Sequence, residues 1–475
     1  MQKYGNNSEF RKGLINMEQI TLQNVARAIG AECREQTDVL AVCTDTRAIT
    51  PGCLFIALRG ERFDGHDFAA VAAKAGAAGI VCEHEVSGTG RTPLLMVKST
   101  QGALLQLARY YRSLFRIPLV GVTGSVGKTT TKEMIVAAIS PKYQTMKTEG
   151  NLNNQIGLPK TLFRLNHTVE AAVIEMGMDH FGQIHNLSMT ANPTISVITN
   201  IGHSHIMNLG SQEGILKAKL EILDGMDINA PVVLNGDDAL LAGAAGKIEN
   251  PVILYGIRNP DCDVCAKNIR ETESGLEFEA CVASLGSSTR VCLPAYGIHH
   301  VYDALAAFSI GLLLQVEPAQ IAEGLAGYVP SGMRQHIVHA GELTVVEDCY
   351  NASPDSVKAS LAALKAMPCS GRRIAVLGDM LELGDYTERG HRECGRAAAE
   401  NRVDLLVACG RDSRFCAEEA KNAGVPTEYF EEKPEAAQFL KNNLRAGDLI
   451  LVKASHGSHL EELLEVIYER FGHEA

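Results

Sequence analysis

The sequence lacks an apolar run long enough to cross a bilayer. The longest, ALAAFSIGLLLQ at 304–315, stops short of the roughly 20 apolar residues that a transmembrane helix requires, so none is expected. An excess of positive charge is also missing, because 44 Lys and Arg oppose 56 Asp and Glu. Broad binding of nucleic acid or of an acidic membrane surface is therefore not expected. An anionic ligand would have to be held locally, by helix N-termini and single cations.

Paired cysteine motifs are scarce. The 13 cysteines are scattered, and the one C-x-x-C, from Cys262 to Cys265, has no second pair at the spacing of a zinc site. The sequence also shows no apolar signal segment at its start. These absences predict free thiols in a reducing cytoplasm. The polar residues 1–16 are expected to form a mobile extension, because a strand and helix pattern begins at Met17.

The sequence does contain a long alternation of apolar runs and helical stretches. At about 150 residues per domain, its length indicates roughly three domains. Residues 17–117 predict a small α/β domain. In 118–330, runs such as AAVIEMG and APVVLNGDD resemble buried parallel strands, at whose carboxyl ends ligands gather. Residues 331–475 predict a doubly wound, Rossmann-like sheet. The predicted fold class is α/β, with a central P-loop mononucleotide-binding parallel sheet.

The stretch VGVTGSVGKTTTKE at 120–133 is a candidate phosphate-binding loop. It does not follow the common G-x-x-x-x-G-K-[ST] pattern, since Val122 stands where the first glycine belongs. An apolar strand still leads into a glycine-rich turn and then a helix, which is the context that phosphate binding requires. The alternative is a glycine-rich turn before an ordinary helix. The predicted nucleotide contacts are Gly124, Ser125, Val126, Gly127, Lys128, Thr129 and Thr130, with Lys128 neutralising phosphates and Thr129 binding Mg²⁺.

Two further segments carry polar residues near this loop. Glu175 ends the apolar strand VIEMGMD, where a carboxylate beside a triphosphate would bind Mg²⁺. TEGNLNNQIGLP at 148–159 is rich in asparagine, which by itself more often indicates turns. Because it follows the phosphate loop by one helix, we favour substrate contacts.

The shifted glycine spacing G-x-T-G-S-x-G-K-T resembles the Mur ligase family, including its folylpolyglutamate synthase relatives, and no N-K-x-D guanine signature is present. The resemblance extends from Met17 over nearly the whole chain. TEGNLNNQIGLP is similar to the family's T-x-G-N-x-N-N-x-I-G-x-P segment. This similarity implies that Asn151, Asn153 and Asn154 bind a nucleotide-sugar substrate.

The resemblance also implies a metal cluster. NIGHSHIMNLGS is similar to a segment with a metal-binding histidine, which aligns with His205, although His203 competes for that role. In EGILKAKLEILDG the family has a carbamylated lysine at the position of Lys219, whereas the residues alone indicate a surface pair of Lys217 and Glu221. A carbamate would bind metal as a glutamate does. The implied cofactors are ATP and two Mg²⁺ ions. The implied catalytic residues are Lys128, Glu175, His205 and Lys219. The implied metal ligands are Thr129, Glu175, His205 and Lys219.

Other implied contacts lie in the outer domains. TDTRAITPGCLFIALRGERFDGHDF resembles a uridine-diphosphate cradle, which selects Asp45, Thr46 and Arg47. In the third domain, Arg334 matches a phosphate-binding arginine, whose guanidinium fork suits that task, and Asp348 matches an acid near the ribose. YGIHHVYDALAA has His300 and Asp303 where G-x-H-N-x-x-N is usual.

DCYNASPDS and LGDMLELG resemble the family branch that adds a dipeptide, and the D-N-P-R signature of the diaminopimelate-adding branch is absent. Asn351 is the implied substrate contact here, while Ser353 and the His456 segment VKASHGSHLE depart from the family pattern. The implied reaction joins D-alanyl-D-alanine to UDP-N-acetylmuramoyl-tripeptide through an acyl phosphate, giving ADP and phosphate in a monomeric enzyme of peptidoglycan precursor synthesis. Another ligase of the family and a regulatory P-loop ATPase are the alternatives, and the third tripeptide residue, lysine or diaminopimelate, stays open.

Overall fold

The computed structural model describes residues 16–60, 63–330 and 332–472. The predicted extension 1–16 lies outside these ranges except for its last residue, which begins the first strand. All 13 cysteines are free thiols, as predicted. Within the described part of the chain, no helix has both the length and the apolar character that a bilayer crossing needs.

The N-terminal unit is a five-stranded sheet with three helices. Strand β1 runs antiparallel to β2, and β2 to β5 are parallel in the order β1-β2-β3-β4-β5. Thr21 caps the first helix and Gly30 ends it in a left-handed conformation, as expected for an amphipathic helix with these flanking residues. The elements are β1 (Asn16–Thr21), α1 (Leu22–Ile29), β2 (Asp38–Cys43), β3 (Cys53–Ile56), α2 (Ala69–Lys74), β4 (Gly79–Cys82), β5 (Leu94–Met96) and α3 (Thr100–Ser113).

The central unit is built on a nine-stranded sheet in the order β14-β13-β12-β11-β10-β9-β6-β8-β7. Its strands are parallel up to β12, and β13 and β14 continue it as an antiparallel hairpin. The elements are β6 (Leu119–Thr123), α4 (Lys128–Ile139), β7 (Thr145–Lys147), α5 (Gly157–Leu162), β8 (Ala171–Glu175), α6 (Gln183–Ala191), β9 (Ile195–Ile198), α7 (Ile206–Leu209), α8 (Gln212–Leu220), β10 (Val232–Asn235), α9 (Ala239–Ala245), β11 (Val252–Gly256), β12 (Val264–Thr272), β13 (Gly275–Val282), β14 (Ser287–Leu293), α10 (His299–Leu313) and α11 (Pro318–Ala326).

The C-terminal unit is a six-stranded sheet in the order β15-β16-β20-β17-β18-β19, parallel except for β15. This is the predicted doubly wound sheet. The elements are β15 (His336–Ala340), β16 (Leu343–Asp348), α12 (Pro354–Ala366), β17 (Arg373–Gly378), α13 (Thr387–Glu400), β18 (Leu405–Cys409), α14 (Ser413–Asn422), β19 (Thr427–Phe430), α15 (Lys433–Asn443), β20 (Leu449–Lys453) and α16 (Glu462–Phe471).

Buried helices fix the units against the central sheet. Helices α4 and α10 pack on one face of that sheet, while α3 of the N-terminal unit joins the core on the other face. Tyr111 of α3 is fully buried, and its hydroxyl donates to the carbonyl of Leu165. Because parallel strands end at one edge of a sheet, the polar residues after β6, β8 and β9 meet there.

Candidate functional site

The loop after β6 leaves a helix N-terminus open to a ligand. Gly124 and Gly127 have φ of 152° and 86°, conformations that glycine adopts without strain. The amides of Ser125 and Val126 donate to the carbonyl and the side-chain oxygen of Asn200, so these two amides are already paired within the protein. No side chain among the described residues caps α4. The amides of its first turn can therefore bind anionic oxygens.

Lys128 lies beside this helix terminus. Its Nζ donates to the carbonyls of Gly124, at 2.9 Å, and Ser125, at 3.4 Å. Burial lowers the pKa of Lys128, the carboxylate of Glu175 raises it, and the nearby Arg334 lowers it. An anionic ligand would give this ammonium a stronger partner than neutral carbonyls do.

Glu175 brings two of the predicted metal ligands together at the end of β8. Its side chain is 1% exposed in the folded chain and accepts hydrogen bonds from Thr129 Oγ1, at 2.7 Å, and Asn153 Nδ2, at 2.8 Å. The Glu175 amide donates to Thr148 Oγ1, which fixes the strand end. Carboxylate and hydroxyl oxygens are ligands that Mg²⁺ prefers.

Lys219 lies buried in α8, at 2% exposure. Burial and then the charge of Lys128 hold the pKa of Lys219 well below its usual value. No hydrogen bond or ion pair from a described residue reaches its amine. The alternative surface pair of Lys217 and Glu221 does not form. Glu221 accepts hydrogen bonds from backbone amides at the start of α6, and Lys217 lies over the ring of Phe181. The burial that lowers the pKa of Lys219 favours the uncharged amine, which is the form that reacts with CO₂.

The geometry favours His205 over His203 as the histidine of the site. His205 lines the cavity described below, and desolvation followed by the Lys128 charge lowers its pKa. His203 instead bonds Asp355 and stacks on Tyr386.

These donors suit a magnesium ion only in combination. Among the described residues, no three His, Cys, Asp or Glu side chains are grouped to hold a metal. The Thr129 hydroxyl, the Glu175 carboxylate and the His205 imidazole offer hard oxygen and nitrogen donors, and an anionic group on Lys219 together with phosphate oxygens would complete the set.

A cavity of about 540 Å³ lies between the central and C-terminal units. Most of the predicted residues line it: Ser125, Val126, Gly127, Lys128, Thr130, Asn153, Asn154, Glu175, His205, Arg334, Asp348 and Asn351. Gly124, Thr129 and Lys219 lie behind this wall, in contact with or close to Lys128 and Glu175. Asn151 does not line the cavity.

Asp45, Thr46 and Arg47 lie apart from the cavity, in an exposed turn of the N-terminal unit. Asp45 accepts from both the amide and the guanidinium of Arg47, and this contact holds the pKa of Asp45 at about 2. Lys160 of α5 lowers it further, so the turn faces the central unit. A substrate reaching both this turn and the cavity would have to be long.

The C-terminal wall contains a buried ion pair. Asp348 and Lys453 end the neighbouring strands β16 and β20 in register, with Lys453 Nζ 2.8 Å from Asp348 Oδ2. Ser360 Oγ donates to the same oxygen, which leaves Oδ1 without a partner among the described residues. Asp348 can therefore accept a hydrogen bond from a ligand.

Aromatic and capping contacts shape the rest of this wall. The Arg334 guanidinium lies 4.1 Å from the ring centre of Tyr350, and the ring of His456 stacks on Tyr350 with a centroid separation of 5.9 Å. Ser353 caps α12 and shares a capping box with Ser356. A serine at this position is thus accounted for by helix capping.

His300 and Asp303, which depart from the family pattern, lie in a polar chain. Gln335 accepts from His300 Nε2, at 2.9 Å, and donates to His299 Nε2, at 3.0 Å. Burial holds the pKa of His299 well below its usual value, which suits the acceptor role. His300 Nδ1 is buried without a hydrogen-bond partner in the described chain, 3.4 Å from Asp303 Oδ2.

Several cavity residues were not predicted from the sequence, chiefly Gln335, Tyr350, Glu382 and Lys453. Lys453 had a readable signal, because a lysine at the end of the buried run LILVK is unusual. Glu382 lies within LGDMLELG, but nothing in that segment indicates that this glutamate reaches the site from another unit.

Known proteins resemble this chain over most of its length. Three family profiles match the chain: the Mur ligase family catalytic domain at residues 39–112, the Mur ligase middle domain at 122–311 and the Mur ligase glutamate ligase domain at 333–456. The UDP-N-acetylmuramoyl-tripeptide--D-alanyl-D-alanine ligase of Bacillus subtilis is 38% identical over 94% of this chain and 98% of its own length.

Solved structures show the same fold. A MurF crystal structure from Acinetobacter baumannii superposes with a TM-score of 0.88 at 29% identity, covering 96% of this chain and 100% of its own. The MurF ligase of Thermotoga maritima, solved in complex with ADP, superposes with a TM-score of 0.81 at 27% identity, covering 90% of this chain and 97% of its own.

Proposed function

The chain belongs to the Mur ligase family, and we propose that it joins D-alanyl-D-alanine to the terminal carboxylate of UDP-N-acetylmuramoyl-tripeptide at the expense of ATP. The observation that carries this proposal is the uncapped start of α4, with Lys128 beside it and the Thr129–Glu175 contact behind it, at the wall of a cavity shared by two units. The names of the relatives support the choice of substrates.

The three units share the binding of the three substrates in this proposal. The N-terminal unit, residues 17–117, binds the uridine diphosphate near Asp45, Thr46 and Arg47. The central unit, 118–330, binds the phosphates of ATP, and the C-terminal unit, 331–475, binds the amine and the ribose. We further propose that the enzyme acts in the cytoplasm as a monomer.

The reaction proceeds by activation of the carboxylate. The tripeptide carboxylate attacks the γ-phosphorus of ATP and releases ADP, and the amine of the dipeptide then attacks the acyl phosphate and releases phosphate. Lys128 and the first-turn amides of α4 hold the transferring oxygens, so positioning and charge stabilisation supply most of the catalysis. Holding the reactants in line can lower the barrier by roughly 7 to 11 kcal/mol.

Two Mg²⁺ ions would neutralise charge on the phosphates and polarise them when bound. Thr129, Glu175, His205 and Lys219 are the residues that would hold them. The amine of Lys219 is buried, its pKa is lowered by that burial, and it has no partner among the described residues. These features support its carbamylation, because a carbamate is an anionic ligand whereas an ammonium would repel the metal.

Acceptor-dependent phosphate release tests the proposal. The protein is incubated with Mg·ATP and UDP-N-acetylmuramoyl-tripeptide, with and without D-alanyl-D-alanine. Two forms of the tripeptide are compared, one with lysine and one with diaminopimelate as the third residue. We expect phosphate release only when tripeptide and dipeptide are both present, together with a product heavier by the dipeptide. Release that needs no acceptor would favour a regulatory ATPase, and release with glutamate in place of the dipeptide would favour a polyglutamate-type ligase.

A further inference from the structure

The segment that carries His205 is held by the C-terminal unit. The amide and Nδ1 of His203 both contact Asp355 Oδ2, at 3.1 and 3.0 Å. The His203 ring stacks on Tyr386 with a centroid separation of 4.6 Å and an interplanar angle of 1°. Gly384 packs against Met207. These contacts join the two units at one edge of the cavity.

Within this interface, His205 makes a separate contact with Glu382. His205 Nδ1 lies 2.6 Å from Glu382 Oε2. Both residues have left-handed backbones, with φ of 61° and 62°. In residues other than glycine this backbone conformation is energetically unfavourable, and residues that adopt it are concentrated at functional sites. The central and C-terminal units therefore each have a residue in the left-handed conformation, His205 and Glu382, at the point where these two side chains meet.

The contact with Glu382 determines which ring nitrogen of His205 is available to a ligand. A carboxylate accepts, so Nδ1 carries the hydrogen and Nε2 keeps its lone pair. Nε2 of His205 makes no hydrogen bond with any described residue, and His205 lines the cavity. Histidines that ligate metals commonly donate their other ring N–H to such a partner, which fixes the ring and its tautomer.

We propose that Glu382 is a positioning residue that orients His205 and presents its Nε2 to the metal cluster. The inference rests on the proposed function, in which His205 is a metal ligand. Glu382 belongs to the C-terminal unit and His205 to the central unit, so docking of the two units completes the metal site. Docking of the C-terminal unit, which binds the amine substrate in the proposed function, is thereby linked to assembly of the metal site at which the phosphate is transferred.

Glu382 does not hold the interface together by itself. Its side chain is 51% exposed, and the contacts of His203 with Asp355 and Tyr386 remain when Glu382 is truncated. Loss of the Glu382 carboxylate is therefore expected to free the imidazole without separating the units.

Mn²⁺ binding tests this role apart from turnover. Electron paramagnetic resonance measures free Mn²⁺ in the presence of a non-hydrolysable ATP analogue, for the wild type, Glu382→Ala and Glu382→Gln. Glu388→Gln is the matched control, because Glu388 is a similarly exposed carboxylate of the same unit that pairs with Arg392. Thermal midpoints are measured for all four proteins.

We expect Glu382→Ala to weaken Mn²⁺ binding by about 10- to 100-fold without a lower thermal midpoint. Glu382→Gln restores binding close to the wild-type value, since its amide oxygen accepts the same hydrogen bond. Wild-type Mn²⁺ affinity in Glu382→Ala would overturn the proposal. So would an equal loss in Glu388→Gln, or a Glu382→Gln protein as weak as Glu382→Ala.

The outcomes separate this inference from the proposed function. A wild-type protein that binds no Mn²⁺ with the nucleotide analogue would remove the metal cluster and the role of Glu382 with it. Normal Mn²⁺ binding in a protein that shows no acceptor-dependent ligation would refute the ligase activity and leave the role of Glu382 standing.

Discussion

Replacing Lys128 by alanine should separate folding from turnover. Among the described residues, the Lys128 ammonium donates only to two main-chain carbonyls of its own loop, and burial already disfavours its charge. Its removal should therefore cost about 1 kcal/mol of folding free energy. The loss in catalysis should be much larger, because the transferring phosphate has no equal replacement for this charge.

The size of the catalytic effect follows from Coulomb's law. A unit charge about 4 Å from a phosphate oxygen, at an effective dielectric constant of about 20, contributes about 4 kcal/mol. Each 1.36 kcal/mol changes a rate about tenfold. The Lys128→Ala protein should thus turn over about 1,000-fold more slowly.

Lys142→Ala is the matched control for this experiment. Lys142 also donates to two main-chain carbonyls, those of Leu314 and Gln315, but it lies beyond the other end of α4. Phosphate release is measured with both acceptors present, and urea unfolding is followed by circular dichroism. A Lys128→Ala protein that keeps more than about a tenth of wild-type turnover would refute the reasoning, since the charge would then contribute less than about 1.4 kcal/mol.

Three further predictions concern the same site. Lys219 should take up ¹³C-labelled bicarbonate and show a carbamate carbonyl signal, which fades as the pH falls and the amine is protonated; a Lys219→Ala protein should show no such signal. Lys453→Met leaves Asp348 buried without its ion-pair partner, so unfolding in urea should show a loss of about 3 kcal/mol, and a loss below about 1 kcal/mol would contradict the pairing. Gly124→Ala would place a methyl group 1.9 Å from a threonine hydroxyl at positive φ, so nucleotide binding measured by calorimetry should be lost, whereas Gly243→Ala, with no atom within 4 Å, should bind as the wild type does.

The fold was largely predictable because its strands are strongly apolar. The apolar runs before the phosphate loop and before Glu175 form strands β6 and β8. Glu175 itself was predictable, since a carboxylate ending a buried parallel strand lies where ligands bind. The family resemblance supplied Lys219, whose burial no local pattern had indicated.

The sequence could not predict contacts that depend on how the units dock. Glu382 and His205 are 177 positions apart, and neither has a periodic pattern around it. The amides of Ser125 and Val126 were predicted to bind phosphate, yet Asn200 accepts from both. This pairing depends on the three-dimensional position of Asn200 in the loop after β9. Because these two amides are already paired, the amides available to a phosphate are those of the first turn of α4.

A crystal structure with a non-hydrolysable ATP analogue and Mg²⁺ tests the central claim most directly. Our account predicts that the phosphates lie on the first-turn amides of α4, in contact with Lys128, with metal bound at Thr129 and Glu175. A triphosphate bound elsewhere in the molecule, with this helix terminus empty, would contradict it.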